Sequence, residues 1–166
     1  QVNLLWETDR PSTAKVWWGK DNSLNNSEVF GESGRLHEMT ISGLEPDTTY
    51  FYRVVCEADA HEPLDSGLLS FRTGVSTDQP FRFAILGDTE SRPHVNRRLA
   101  AQIWGHRPHF LVNLGDLTDA GMEPHRYEWT YEYFLGMGRL HGRVPVFPVP
   151  GNGEGDLYWY RHYHRL

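Results

Sequence analysis

The sequence predicts two domains, an all-β sandwich over residues 1–74 and an α/β part with parallel strands over residues 81–166. Short apolar runs separated by turn residues fill the first half, whereas strand-like and helix-like runs alternate in the second. The segment 75–80 between them is polar, rich in turn residues and ends in a proline. Such a composition is typical of a linker between domains.

The amino-acid composition argues against several classes of function. With 22 acidic and 16 basic residues the formal net charge is −6, which argues against a nucleic-acid binding patch. The single cysteine, Cys56, excludes an internal disulfide. No apolar run approaches the roughly 20 residues that cross a bilayer, and no signal-peptide pattern is present. Because the chain opens at Gln1, inside a predicted strand, it looks like a piece of a longer protein.

Charge is distributed unevenly between the two halves. Residues 1–80 carry 13 acidic side chains against 6 basic ones, a net charge of −7. Residues 81–166 carry 9 acidic side chains against 10 arginines, a net charge of +1, together with seven of the nine histidines. A surface that serves only solubility does not need to segregate its histidines and arginines in one half.

The first half predicts antiparallel strands. Apolar or alternating runs occur at 2–8, 14–18, 37–41, 49–55 and 67–71. Turn residues separate them, including the segments 9–12, 21–23 and 45–47. No helical periodicity lies between these runs, so the sandwich is the favoured architecture.

One corner of this half carries a family resemblance. The segment Leu44–Val54 resembles the corner before the sixth strand of fibronectin type III domains. In that corner a leucine fills the core, a proline stiffens the turn, and a tyrosine, here Tyr50, bonds to the backbone upstream. The resemblance implies a spacer, or a module that contacts carbohydrate or protein.

The second half alternates strand and helix. Strands are predicted at 81–86, 109–114 and 144–149, and helices at 93–104 and 124–135. This β-α-β-α-β order predicts a parallel sheet with right-handed crossovers. In the second helix a helical period places four apolar residues on one face. These are Tyr127, Tyr131, Phe134 and Leu135.

A glycine-led polar step follows each of the three strands. The steps are Gly87-Asp88, Gly115-Asp116 and Gly151-Asn152. Loops at the carboxyl ends of parallel strands converge on one edge of the sheet. Carboxylate and amide oxygens suit Mg²⁺, Mn²⁺, Fe or Zn²⁺. The sequence therefore predicts a metal site at this edge.

These steps also resemble known motifs. Gly87-Asp88, the segment Gly115–Gly121 and the segment Val149–Glu154 resemble the first three motif blocks of calcineurin-like metallophosphoesterases. With a β-sandwich in front, the resemblance is closest to the purple acid phosphatase type, particularly its bacterial relatives. It spans nearly the whole chain.

The resemblance implies a function and residue roles. Asp88 would bind the first of two metal ions, Asp116 would bridge both, and Asn152 would bind the second. The metals would be Fe, Mn or Zn, the substrate a phosphate ester, and the reaction its hydrolysis by a metal-activated hydroxide. Relatives of this kind also suggest an extracellular or periplasmic location.

Three positions depart from the family pattern. The third block normally reads Gly-Asn-His-Glu, and Gly153 stands where the histidine contacts phosphate and protonates the leaving group. Asp119 stands where purple acid phosphatases have a metal-binding tyrosine, and it either binds metal or caps a helix. Glu90 replaces a histidine found in many members. Arg92, close to Asp88, either contacts a substrate phosphate or lies exposed at a helix start.

The later histidine ligands of the family are not in this chain. His162 and His164 form a His-x-His pair, but the pair begins only ten residues after Asn152 and lacks the preceding glycine, so we expect packing or surface histidines. We therefore expect an amino-terminal fragment that is inactive alone and exposes an apolar sheet face. The alternative is a catalytically degenerate relative that acts as a binding or structural module.

Overall fold

The computed structural model describes residues 1–164. The chain divides into two compact units, Gln1–Thr77 and the residues from Asp78 onward. The division falls inside the segment that separates the two predicted domains. Among residues 1–164, no helix has both the length and the apolar character needed to span a membrane.

The first unit is built from five antiparallel strands. These are β1 Val2–Gly19, β2 Asn26–Ile41, β3 Thr49–Glu57, β4 Leu64–Asp65 and β5 Leu69–Arg72. Hydrogen bonds link the strands in the order β2-β1-β3-β4, and β5 also pairs with β3. Alternate residues of the three long strands point into one core, where Val16, Ile41 and Tyr52 are buried.

The length of the first two strands corrects the prediction from sequence. Separate strands at 2–8 and 14–18 were expected, but β1 is continuous because both of its halves pair with β2. Strand β2 begins at Asn26, eleven residues before the expected strand at 37–41. The expected turn residues 9–12 form an irregularity in the ladder instead, with register shifts on both sides of Ser12. Pro11 lies in this irregularity, where a missing backbone N–H does not interrupt a regular ladder.

The tyrosine corner is present. The backbone N–H of Glu45 donates to the hydroxyl oxygen of Tyr50 at 3.1 Å, which confirms the bond to the upstream backbone. The ring of Tyr50 is buried and stacks on Phe71, with centroids 5.9 Å apart. The corner therefore joins β3 to β5 through the core as well as through the sheet.

The second unit contains a three-stranded parallel sheet. Its strands are β6 Phe83–Leu86, β7 Phe110–Asn113 and β8 Val146–Pro148, in the order β6-β7-β8. Both strand pairs are parallel, which confirms the prediction. Helix α1, Pro93–Gly105, connects β6 to β7. Helix α4, Tyr158–Tyr163, follows β8.

A longer helical stretch than expected connects β7 to β8. It consists of a 3₁₀ turn Glu123–His125, α2 Arg126–Glu128, a π-helical segment Trp129–Phe134 and α3 Leu135–His141. Of the four apolar residues predicted on one face, Tyr127, Tyr131 and Leu135 are exposed. The fully buried residues are Trp129, Tyr133, Met137 and Leu140. Glu128 and Glu132 turn inward on the same side, because their carboxylates bond the backbone of the loop after β7.

The two faces of the parallel sheet differ. One face packs on α1 and α3, and Leu111 at its centre is fully buried. On the other face Phe83, Ile85 and Phe147 are 46%, 57% and 53% exposed. Parallel sheets are usually covered on both faces. The open apolar face expected from the sequence is therefore present.

Candidate functional site

The three loops that follow β6, β7 and β8 meet at one edge of the sheet. The N–H of Asp88 donates to the carbonyl of Gly115 at 3.1 Å, and that of Thr89 donates to the carbonyl of Asp116 at 2.8 Å. The N–H of Gly153 donates to Oδ1 of Asp116 at 3.0 Å. Hydrogen bonds thus join the first loop to the second and the second to the third, next to Asn152.

Both aspartates have left-handed backbone conformations. The φ angle is +53° at Asp88 and +50° at Asp116, and each residue follows a glycine. Aspartate tolerates this region better than most side chains, but at a cost in free energy. Such conformations are found at functional sites, and among residues 1–164 they occur at two of the three predicted ligands and at seven other non-glycine positions.

Glycines allow the second and third loops to touch. Gly115 has φ +94°, and a Cβ on it would lie 2.7 Å from the backbone nitrogen of Gly151. A Cβ on Gly151 would lie 2.3 Å from Oδ1 of Asp116. Contacts shorter than 3.0 Å require atoms to move, so neither position accepts a side chain on this backbone.

A glycine is also required at position 153, because there is no space for a side chain. A Cβ at this position would lie 1.9 Å from the carbonyl oxygen of Thr118. The carbonyl of Gly153 accepts the N–H of Gly121 at 2.7 Å, which holds the two segments together. The histidine of the family pattern therefore does not fit at position 153 without a movement of the 118–121 backbone.

The edge is rich in negative charge. Burial raises the pKa of Glu90, and the negative charges of Asp88, Asp116 and Asp119 raise it further. Oε2 of Glu90 is buried and has no hydrogen-bond partner among residues 1–164. Asp88, Asp119 and Asn152 are exposed to solvent, and Asp116 is half-buried. Four carboxylates therefore share this edge.

Asp119 and Arg92 each had two predicted roles. The first helical turn after Asp119 begins at Glu123, with Met122 as its N-cap, so the expectation that Asp119 caps a helix is wrong. Arg92 occupies the N-cap position of α1 and is exposed. Its N–H donates to the carbonyl of Glu90 at 2.7 Å. A contact between its guanidinium and a phosphate remains a prediction.

Buried glutamates behind the edge were missed by the sequence reasoning. Glu154 is fully buried, and its carboxylate accepts backbone N–H groups from the 116–118 segment and from Gly151. Glu132 and Glu128 accept the next two N–H groups of the same loop. The place of Glu154 directly after Gly151-Asn152-Gly153 was a usable signal. Glu128 and Glu132 give no local signal, because their partners lie in another loop.

The carboxyl-terminal histidines are partly buried and pack against aromatic rings of the second unit. The His164 ring lies 6.1 Å from Trp129 and 5.8 Å from Tyr133, which supports the packing interpretation. Burial lowers the pKa of His164 to about 4 and that of His141 to about 3. His162 lies on α4 and makes edge contacts with Trp159 and Tyr163.

The residues present fit a metal centre in chemistry but not in number. Asp88, Asp116 and Asn152 offer oxygen donors of the kind that hard cations prefer. Within residues 1–164, no three His, Cys, Asp or Glu side chains stand close enough together to hold a metal ion. The edge therefore supplies part of a coordination sphere.

The fold and the edge define a class: a strand-rich domain followed by a parallel α/β sheet with oxygen donors at the strand ends. Models of known families match both parts. The purple acid phosphatase N-terminal domain matches residues 1–73, and the calcineurin-like phosphoesterase family matches residues 81–166. The chain belongs to the calcineurin-like phosphoesterase family, and its relatives are purple acid phosphatases.

Relatives and a solved structure are similar over different shares of the chain. Purple acid phosphatase 23 of Arabidopsis thaliana is 28% identical over 127 residues, which are 64% of this chain and 27% of that protein. An acid phosphatase of Aspergillus ficuum is 34% identical over 94 residues, 44% of this chain and 15% of that protein.

The structure of purple acid phosphatase PPD1 from yellow lupin (Lupinus luteus) seeds superposes with a TM-score of 0.68 and 15% identity. The match covers 90% of this chain and 32% of that one. At this identity the likeness shows the fold. The chain spans about a quarter of the length of the Arabidopsis relative.

Proposed function

We propose that the protein containing this chain is a metal-dependent phosphoric ester hydrolase of the acid phosphatase type. Asp88, Asp116 and Asn152 would form part of its two-metal centre. The observation that supports this most directly is the hydrogen bonding that brings the three strand-end loops to one edge. Family membership supports the ester-hydrolase class.

Each residue has a role in this proposal. Asp88 would bind the first metal ion, Asp116 would bridge the two, and Asn152 would bind the second; the ions would be Fe, Mn or Zn. When bound, such ions lower the pKa of a water molecule so that it can attack phosphorus. Asp119 is a candidate further ligand, because its exposed carboxylate lies close enough to Glu90 to affect its pKa. Arg92 is a candidate phosphate contact.

Metal binding by the 166-residue chain tests the proposal. Added to the protein, Mn²⁺ should lose part of its free-ion EPR signal, and Asp116→Asn should restore most of that signal because an acidic oxygen ligand is lost. Asp59→Asn, an exposed aspartate of the strand-rich domain, is the matched control and should bind as the unmodified chain does. Equal binding by the Asp116→Asn variant and the unmodified chain would contradict the proposal.

Hydrolysis by the chain alone is expected to be weak or absent, because the described donors supply only part of a coordination sphere. An assay with p-nitrophenyl phosphate and added Mn²⁺, Fe or Zn²⁺ measures this. Fast turnover that Asp116→Ala abolishes would show that the described ligands suffice, contrary to our expectation.

A second candidate function rests on Gly153. The crowding at position 153 leaves no room for the histidine of the family pattern. This favours a degenerate relative that binds metal or a partner and does not hydrolyse esters. General acid catalysis contributes about 10²–10⁴-fold where it operates. Metal binding by the whole protein without measurable ester hydrolysis would favour this degenerate relative over the enzyme.

A further inference from the structure

A single buried carboxylate holds two of the candidate ligand loops. Glu154 has no solvent-exposed surface. Its Oε1 accepts the N–H groups of Leu117 and Thr118 at 2.6 and 3.1 Å. Its Oε2 accepts the N–H groups of Asp116, at 3.2 Å, and Gly151. Four backbone donors from two loops therefore converge on one side chain.

Two more buried glutamates continue this pattern. Oε2 of Glu132 accepts the N–H of Asp119 at 3.0 Å, and Oε2 of Glu128 accepts the N–H of Ala120. Both glutamates come from the helical stretch between β7 and β8, whereas Glu154 follows β8. The N–H groups of five consecutive residues, 116–120, thus all end on buried carboxylates.

The bonds to Glu154 join backbone N–H donors to a fully buried carboxylate. A carboxylate removed from water carries a large desolvation cost unless donors surround it, and hydrogen bonds to an ionised group are about twice as strong as neutral ones. Because all four bonds end on the carboxylate of Glu154, all four depend on its charge. Removal of the charge would weaken the contact between the 116–118 segment and Gly151 at once.

We infer that Glu154 is a positioning residue for the candidate metal edge, which fixes the Asp116 loop against the loop that carries Asn152. The inference rests on the proposed function, because positioning has a chemical purpose only if Asp116 and Asn152 bind metal. It assigns Glu154 no contact with metal or substrate.

The loop that carries Asp116 and the loop that carries Asn152 are too tightly packed to shift independently. Oδ1 of Asp116 accepts the N–H of Gly153, and a Cβ on Gly151 would collide with the same oxygen. A shift of either loop therefore displaces the Asp116 carboxylate relative to Asn152. Residues that orient metal ligands in this way typically change metal affinity 10–100-fold when they are replaced.

The test is Mn²⁺ binding by the 166-residue chain, followed through the free-ion EPR signal. Glu154→Gln keeps the size of the side chain but removes its charge, and we expect Mn²⁺ affinity to fall about 10–100-fold. Far-UV circular dichroism at the same temperature checks that the variant is folded. Glu32→Gln, at an exposed glutamate of the strand-rich domain, is the matched control and should leave affinity unchanged.

Two variants separate failure of this inference from failure of the proposed function. If Asp116→Asn weakens Mn²⁺ binding but a folded Glu154→Gln variant binds as tightly as the unmodified chain, the positioning role is wrong and the metal edge stands. If neither the unmodified chain nor any variant binds Mn²⁺, these residues do not form a metal edge, so the residue roles in the proposed function and this inference are both wrong.

A measurement on the unmodified chain covers the case in which Glu154→Gln does not fold. Amide hydrogen exchange of residues 116–118 and 151 should be slow without metal and change little when Mg²⁺ is added, because the bonds to Glu154 are already formed. Fast exchange that becomes slow only with Mg²⁺ would overturn the inference, since the loops would then be ordered by metal.

Discussion

The two domains bury polar groups in different ways. In the strand-rich domain three buried polar side chains form a short chain, in which Thr8 Oγ1 lies 3.2 Å from Ser12 Oγ and Ser12 Oγ lies 3.4 Å from His37 Nε2. In the α/β domain three buried glutamates bind backbone N–H groups, and the Nε2 atoms of His141 and His164 are buried without a hydrogen-bond partner among residues 1–164. The glutamates and histidines of the α/β domain can change charge at positions where a charge is costly. We therefore expect the stability of this domain to depend on pH and on the geometry of its loops.

Acid should produce the largest difference between the domains. The pKa of His141 is lowered to about 3 and that of His164 to about 4, against an ordinary value of 6.5. Below pH 6.5 the unfolded chain binds protons that the folded chain does not, so stability falls as the pH drops from 6.5 towards 3–4. Each histidine then costs up to about 1.4 kcal/mol per pH unit.

Hydrogen exchange followed segment by segment between pH 7 and pH 4.5 measures this effect. Protection in the α/β domain should be lost first. His141→Phe should reduce the loss, whereas the exposed His94→Phe should not. If the His141→Phe variant and the unmodified chain are equally sensitive to acid, the buried histidine does not cause the acid sensitivity of the α/β domain.

Loop geometry should produce the next largest effect. Gly153→Ala places a Cβ 1.9 Å from the carbonyl oxygen of Thr118, and we expect a loss of about 3 kcal/mol in the free energy of unfolding. Gly138→Ala is the control, because nothing lies within 4 Å of its Cβ position inside α3, and it should be neutral or stabilise by up to about 1 kcal/mol. Chemical denaturation compares the two. A Gly153→Ala variant as stable as the Gly138→Ala variant would show that the 118–121 segment is free to move.

In the strand-rich domain a smaller effect is expected. Ser12→Ala removes a buried hydroxyl that bonds to Thr8 and His37, and it should cost about 1 kcal/mol. Ser27→Ala, at an exposed position of β2, should change stability by less than about 0.5 kcal/mol. Thermal unfolding of both variants measures the difference, and identical transitions would show that the hydroxyl chain adds nothing to stability.

The open sheet face should give the smallest effect on stability. Ile85 is 57% exposed, so Ile85→Thr should change the free energy of unfolding by less than about 0.5 kcal/mol while it reduces exposed apolar surface. Binding of the dye ANS and light scattering should both decrease. Leu111→Ala, on the covered face of the same sheet, should instead cost about 2–5 kcal/mol. Similar costs at the two positions would mean that the open face is covered in solution.

Local sequence was sufficient for some features and not for others. The corner around Tyr50 was predicted because its residues lie within a few positions of one another, and its hydrogen bond to Glu45 is present. The parallel sheet followed from the order of strands and helices. By contrast, β1 was divided in error, because its turn-like residues 9–12 are held by pairing with a strand that is distant in sequence, in which Gly34 is the partner of Ser12.

The candidate edge was predicted in part for the same reason. The sequence located Asp88, Asp116 and Asn152 because each follows a glycine at a strand end. It did not assign a role to Glu154, whose partners Asp116–Thr118 lie 36–38 residues away. It also did not indicate which face of the helical stretch is buried, because a period of 3.6 residues takes account of neither the π-helical segment nor the backbone N–H group that bonds Glu132.

The orientation of the 116–120 amides has a consequence for any oxyanion that approaches the edge. Backbone N–H groups in loops and at helix N-termini commonly bind phosphate groups. Here the five successive N–H groups of residues 116–120 already bond buried carboxylates, and the carboxylates of Asp88, Glu90 and Asp119 lie at the same edge. An anionic ester would therefore meet repulsion at this edge until cations compensate the carboxylates, so occupancy by cations would decide whether the ester can bind at all.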